Sequence, residues 1–485
     1  MIAISTVRTR RAAANTTLLG ILVSLAATLL VGWGLARRTA PFVASYVYLN
    51  SSVAFSGPQN FQSFEIDIVL RVDHLTVVAI ALIDLCVGLV LAWNRVMGRN
   101  ETGPARFNAV ISIFLFGAFG TLMSSDLAEM FTFWALCGIA TLYSRYGKQN
   151  LADLVPILHT TAGWTVRQLV VASVLLFVGV AGRLALWPLH SWVTSTATTA
   201  PPAASAIVQA VWPVVAITVL YRLLPIFHAS NQQTMRDLVI ACGVSAVLAP
   251  LASLIGREPR QVFALAASGL AALATAIVIH GFQYPAFTFA VAGVACIYAA
   301  APARAAATLA ASSIAAAMRT LDMGEMGDAL RRMRSSAVVL LGAALVIGFS
   351  AVGALALGVD TRSRFGVTLG EALFLIAIAA LRVFLSVGIG PLLRRRAFDP
   401  DRVRDAPRPA LGWPYWLLLL AIALTLASLL TVRVRDEPAG RHAGHCMVQR
   451  HGRCAAGRCG CIPRPVRGGA FVQGRRPCDR VDSCR

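Results

Sequence analysis

Val262-Phe-Ala-Leu-Ala-Ala-Ser-Gly-Leu-Ala-Ala-Leu-Ala-Thr-Ala-Ile-Val-Ile-His-Gly281 runs for twenty residues without a carboxylate, lysine or arginine. At the helical rise per residue such a run reaches about 30 Å, the thickness of a bilayer's hydrocarbon core. Comparable apolar runs lie near 74–93, 107–123, 127–143, 169–187, 203–227, 238–255, 283–302, 303–318, 336–359, 368–390 and 412–432. Of the 485 residues, 57% are hydrophobic and only 13% charged. That is about half the charged share of a water-facing protein. A soluble chain of this length still needs a polar shell, however large its core. The surface therefore faces lipid. The fold class expected is an all-α, polytopic membrane protein with about 12–14 transmembrane helices, one or two of them broken.

The formal net charge is +21. The basic residues sit mainly in short connectors between the apolar runs, which fits loop anchoring and attraction to anionic lipid. No basic module with interleaved aromatics appears, so no nucleic-acid partner is expected. Of the 43 lysines and arginines only Lys148 is a lysine, a bias that reads as a GC-rich genome. Arginines occur on successive loops (Arg37-Arg38, then Arg95 and Arg99, then Arg145), so charge asymmetry picks no orientation.

Arg8, Arg10 and Arg11 precede an apolar stretch from Leu18 to Ala36. The stretch is long and lacks a clean small-residue cleavage site, which favours an uncleaved first span over a signal peptide. The run at 303–318 is short and begins right after Pro302, while Pro188, Pro201, Pro202, Pro213 and Pro225 crowd a second region. Proline-interrupted segments mark broken helices that line polar cavities. Prolines also simply end helices at loops. An interruption is expected near Pro201-Pro202 or near Pro302.

From about residue 436 the chain changes character. Cys446, Cys454, Cys459, Cys461, Cys478 and Cys484 lie among arginines and glycines with no apolar period. A metal or disulfide module is one reading. Out-of-frame translation of GC-rich DNA, or disorder, is the preferred one, because no paired Cys-x-x-Cys spacing is present. Deleting 440–485 is expected to leave membrane insertion and abundance unchanged. Stoichiometric zinc held by this tail and lost on Cys454→Ser would contradict that.

Several blocks carry further information. Arg71-Val72-Asp73-His74-Leu75-Thr76 is similar to a Val-Asp-Gly-Leu-Ser entry into an early span. Ala185-Leu186-Trp187-Pro188-Leu189-His190-Ser191-Trp192 resembles Gln-Leu-Pro-Leu-His-Thr-Trp-Leu. Pro201-Pro202-Ala203-Ala204-Ser205-Ala206-Ile207-Val208-Gln209 follows at the distance of Pro-Thr-Pro-Val-Ser-Ala-Leu-Ile-His. Glu258-Pro259-Arg260-Gln261-Val262-Phe263-Ala264 stands for Asp-Leu-Lys-Arg-Val-Leu-Ala, and Arg304 for the lysine of His-Ala-x-x-Lys-Ala-Leu-Leu-Phe. A connector from Asp322-Met323 to Arg331-Arg332-Met333 completes the set. In order and spacing the chain resembles the antiporter-like membrane subunits of respiratory complex I, closest to the L-type subunit. Subunits of cation/proton antiporters and the membrane half of inorganic-carbon uptake complexes share that core.

The resemblance implies proton or cation movement along ionisable residues near mid-membrane, where charge is costly and usually functional. At the positions it assigns to titrating groups this chain carries Ala135, Arg183, Gln209, Arg260 and Arg304, with Ala300 in place of a histidine. Arginine holds its proton, and glutamine and alanine do not titrate, so such a relay is degenerate. Arg183, Gln209, Arg260, Arg304, His190 and Asp73 are the channel-lining candidates; the arginines also fit snorkelling to the interface. His190 reads more readily as a structural hydrogen bond at a helix boundary than as a relay group. Asp73, Asp84 and Asp126 lie near span ends and read as exposed interfacial carboxylates.

No Gly-rich dinucleotide loop or iron–sulfur or haem spacing occurs, and Cys86, Cys137, Cys242 and Cys296 read as packing residues. No cofactor is expected on this chain; quinone and NADH would be handled by partner subunits. The expected organisation is a first span and connector (1–69), an antiporter-like proton-translocation core (70–350), C-terminal spans (351–435) and the tail (436–485). The role expected is a non-redox, multi-pass subunit of an NADH:quinone oxidoreductase-type complex in a bacterial inner membrane. Its partners would be other membrane and peripheral subunits, the lipid bilayer, and protons or cations. The rivals are a subunit of a cation/proton antiporter or inorganic-carbon uptake complex, and a scaffold that transports nothing.

Overall fold

The computed structural model of the chain describes residues 10–37, 40–54, 61–97, 104–124, 130, 166–283, 287–350, 364–389 and 412–427. The chain divides into two units, Met1–Val434 and Arg435–Arg485, and every described residue belongs to the first. The tail beyond 436, Ala135 and Asp126 therefore lie outside the described residues.

The protein is a polytopic bundle of apolar helices. They are α1 (Arg10–Ala36), α2 (His74–Met97), α3 (Pro104–Met123), α4 (Val166–Arg183), α5 (Ser191–Thr199) and α6 (Pro202–Ser230). There follow α7 (Gln232–Ser253), α8 (Pro259–Gln283), α9 (Phe287–Met318), the single turn α10 (Ala329–Arg332) and α11 (Arg334–Phe349). The last are α12 (Arg364–Val383), which continues as a π-helical turn over Phe384–Ile389, and α13 (Gly412–Ala427). Among the described residues seven helices are long and apolar enough to cross a membrane, and four shorter apolar helices accompany them.

Between α1 and α2 the chain makes an antiparallel hairpin of β1 (Phe42–Ala54) and β2 (Phe61–Val72), with a register shift between Val47 and Leu49. In sequence the segment alternates Phe64-Glu65-Ile66-Asp67-Ile68, the period of two of a strand, before Val69-Leu70-Arg71-Val72. A search for twenty-residue apolar runs passes over that pattern, and the sequence reading left the segment as a connector.

The interruption expected at Pro201-Pro202 is present. Ala200 and Pro201 are extended and separate α5 from α6. Pro202 opens α6 in the first helical turn, where a missing N–H costs nothing. At Pro302 the helix runs on, and the runs 283–302 and 303–318 are one helix, α9. A proline inside a helix removes one backbone bond and costs about 3 kcal/mol. α9 packs on α6, α8 and α11, and contacts of that kind offset the bond a proline removes.

The core centres on α8, whose residues 262–279 are all buried. It packs on α5, α7, α9 and α12. Two glycines permit backbone-close approach. A Cβ on Gly269 would lie 2.3 Å from Pro250 Cγ of α7, and one on Gly293 of α9 would lie 2.8 Å from the Ala274 carbonyl oxygen of α8.

Candidate functional site

The segment from Leu184 to His190 leaves helical geometry and is tied down from two sides. Ala185 sits at φ 58°, and the Trp187–Pro188 peptide is cis. The Trp187 amide donates to Ser245 Oγ of α7 at 2.7 Å, and Ser268 Oγ of α8 donates to the Ala185 carbonyl. Trp192 Nε1 closes the turn on the Gly182 carbonyl at 2.7 Å. This fold-back sets Arg183, at the end of α4, against α6, where its guanidinium stacks 4.0 Å from the centroid of Trp212.

Arg183, Gln209 and Arg304 line one narrow cavity with Trp192 and Ser268. It has room for about one water molecule. Gln209 is buried and donates from Nε2 to Ser205 Oγ, one turn back on α6, at 2.9 Å. Arg304 is buried on α9 and donates from Nη2 to the Ala267 carbonyl of α8; its Nε is buried without a hydrogen bond. No carboxylate forms an ion pair with Arg304 among the described residues. Three candidates read from the sequence thus meet at one place. Two are permanent cations and the third is neutral, so the cavity can orient water and repel cations but cannot hand on a proton through these groups.

Arg260, His190 and Asp73 do not line this cavity. Arg260 donates to the Thr198 carbonyl at 3.2 Å, in the last turn of α5, and lies 3.8 Å from Glu258. A cation at a helix C-terminus is stabilised there by the last carbonyls. His190 precedes α5, where its carbonyl accepts from Val193 N at 3.1 Å, while its Nδ1 is buried without a hydrogen bond. The side-chain bond expected of His190 is therefore not made through Nδ1.

Asp73 caps α2: its Oδ1 accepts from the Thr76 amide at 2.8 Å and the Thr76 hydroxyl at 2.7 Å. Its Oδ2 pairs with Arg222 of α6 at 3.4 Å. Arg222 also donates to the Leu122 carbonyl at 2.7 Å, the Ser124 carbonyl at 3.1 Å and Thr76 Oγ1 at 2.5 Å. Burial raises the Asp73 pKa, but Arg222 and the Thr76 donors outweigh it and hold the carboxyl below its ordinary value. Arg222 escaped the sequence reading, although an arginine inside an apolar run is itself the signal for a partnered charge.

The interfacial reading of Asp84 is corrected. Asp84 is the eleventh residue of α2, about 16 Å along the helix, and only 1% exposed. α2 runs from His74 to Met97, and Asp84 lies near its middle, as it does in the 74–93 apolar run. Cys86, Cys242 and Cys296 are buried, free thiols packed in the bundle. Among the described residues no three His, Cys, Asp or Glu side chains group as metal ligands.

An interrupted chain at Pro201-Pro202, an enclosed α8, a buried Arg304 on α9 and a partly buried Arg183 at the end of α4 mark a polytopic membrane protein with cations set inside its bundle. Residues 88–355, more than half of the chain, match the family described as NADH:quinone oxidoreductase/Mrp antiporter, TM, and the chain belongs to it. A relative is NAD(P)H-quinone oxidoreductase subunit 5 of the chloroplast of Chaetosphaeridium globosum, 24% identical over 236 residues. That alignment covers 39% of this chain and 35% of the relative, so the chain spans about a third of the curated protein's length. Two solved structures share the fold. One is a chain of the Mrp complex from Dietzia sp., with TM-score 0.66 and 16% identity over 87% of this chain and 92% of that one. The other belongs to the membrane-bound sulfane sulfur reductase, an archaeal respiratory membrane complex, with TM-score 0.69 and 15% identity over 87% and 90%.

Proposed function

We propose that this chain is a non-redox membrane subunit of an NADH:quinone oxidoreductase-type complex, with an inherited role in proton or cation translocation and a degenerate relay. The observation that carries the reading is the cavity shared by Arg183, Gln209 and Arg304, where the resemblance assigns two lysines and a histidine. Lysine in such a cavity can release its proton; arginine cannot. On this reading the chain binds no cofactor. Other membrane and peripheral subunits handle NADH and quinone, and the setting is a bacterial inner membrane.

A second reading, a subunit of a cation/proton antiporter, is supported by the likeness that spans 92% of the Mrp chain. Purifying the native complex and identifying the co-eluting subunits separates the two, since only the first places redox subunits in the peak.

The relay is tested in liposomes loaded with a pH-sensitive dye. The wild-type chain alone is expected to give no proton flux above empty vesicles. Ala135→Glu, Arg183→Lys and Gln209→His, introduced together, should raise it. High wild-type flux abolished by Arg183→Ala would refute the degenerate relay.

A further inference from the structure

Outside the arginine-lined cavity, α1, α2 and α3 border a second one of about 650 Å³. Its polar wall is Thr16, Thr17, Ser24, Asp84 and Ser112, set among apolar and aromatic side chains. Among the described residues, Asp84 is the one titratable residue in that lining. It is buried near the middle of α2 and makes no ion pair among the described residues. Ser24 Oγ of α1 donates to its Oδ2 at 2.8 Å, while Oδ1 is buried and takes no hydrogen bond.

Among the described residues, α6 and α9 also pack on α2. From α6 comes Arg222, which is engaged by Asp73 and Thr76 at the N-terminal end of α2. From α9 come Arg304, bound to the Ala267 carbonyl, and Tyr298, which shares a 2.8 Å hydrogen bond with Thr218. None of these lines the cavity.

A carboxyl held at mid-membrane without a counter-ion is costly, and groups so placed are usually functional. Asp84 has one oxygen anchored and one oxygen left over, and the residue lines a space large enough for several waters. A proton can come and go at Oδ1 while the Ser24 bond to Oδ2 stays made. We propose that Asp84 is a membrane-embedded proton-binding site, filled and emptied through the cavity between α1, α2 and α3. It is a different place from the arginine-lined cavity, and it stands whether or not the relay there is degenerate.

Dicyclohexylcarbodiimide provides the test, because it enters apolar sites and reacts with neutral carboxylic acids. The acid's O–H adds across one C=N bond, its proton going to nitrogen, and the adduct rearranges to a stable N-acylurea. The full chain in proteoliposomes is treated across a pH series, and the peptide containing Asp84 is followed by mass spectrometry. An adduct at Asp84 is expected, with its rate falling about tenfold or more between about pH 5 and about pH 9. Asp84→Asn should abolish it, and Ser24→Ala should keep it while moving its pH dependence. No adduct at Asp84 at any pH, or labelling that ignores pH, would overturn the proposal. Protection by sodium at fixed pH and ionic strength would also overturn it, in favour of a metal-ion site.

Discussion

Gly293→Ala is expected to cut the yield of folded protein several-fold and to lower its melting temperature in detergent. The added methyl would lie 2.5 Å from Val278 Cγ2, 2.8 Å from the Ala274 carbonyl oxygen and 3.1 Å from the Val278 amide nitrogen. Two of those atoms are helix backbone and cannot rotate aside. Overpacking of this kind costs about 1–3 kcal/mol, and the rigid backbone of α8 puts this site at the upper end. A loss of that size changes cellular abundance several-fold. Gly269→Ala should act in the same direction, since its methyl would meet the Pro250 ring at 2.3 Å and 2.5 Å. Gly243→Ala on α7 is the internal control, because nothing lies within 4 Å of its added methyl. Equal melting temperatures for the Gly293 and Gly243 variants would show that α8 and α9 are not in backbone contact.

Arg222→Leu is the second change with a large expected effect. It would take the guanidinium away from the half-buried Asp73 carboxylate, which keeps only its Thr76 donors, and from the carbonyls of Leu122 and Ser124. Breaking one side of such a network costs about 3 kcal/mol, much of it the penalty of the charge left behind. Asp73→Asn in the Arg222→Leu background should recover part of the loss, because the stranded charge is then gone. The sign of the pH dependence follows from the lowered Asp73 pKa. Its stabilising contribution is complete above the ordinary carboxylate value and disappears as pH falls through the lowered one. The difference in melting temperature between wild type and Arg222→Leu should therefore narrow below about pH 4. A difference that stays constant down to acid pH would remove Asp73 from the account.

Run length and hydropathy were enough to locate most of the helices, because a lipid-facing helix has to be apolar along its whole length. The alternation Phe64-Glu65-Ile66-Asp67-Ile68 in β2 was legible only with the period of a strand, not that of a helix. The merger of two runs into α9 was not legible. Whether a proline breaks a helix depends on the neighbours that hold its two halves, and neighbours are a tertiary property. The meeting of Arg183, Gln209 and Arg304 came from the order of the blocks, and the family match over 88–355 overlaps the 70–350 stretch in which they lie. Arg222 sits in no recognised block, so nothing in the sequence pattern singled it out. Asp84 lies at the centre of the 74–93 run as it does near the middle of α2, so its depth was legible and only its burial needed the structure.

The complete burial of α8 has a mechanical meaning. A helix in backbone contact on two sides, with residues 262–279 enclosed, cannot slide by a turn without unpacking its neighbours. The carbonyl that anchors Arg304 belongs to that helix, so the anchor stays put while the guanidinium can only change rotamer. Rearrangement at this site is thus side-chain rotation rather than the rocking of a helix. Any ion route engineered through it would behave as a leak set by hydration, without the counted turnovers of a carrier that alternates between two sides.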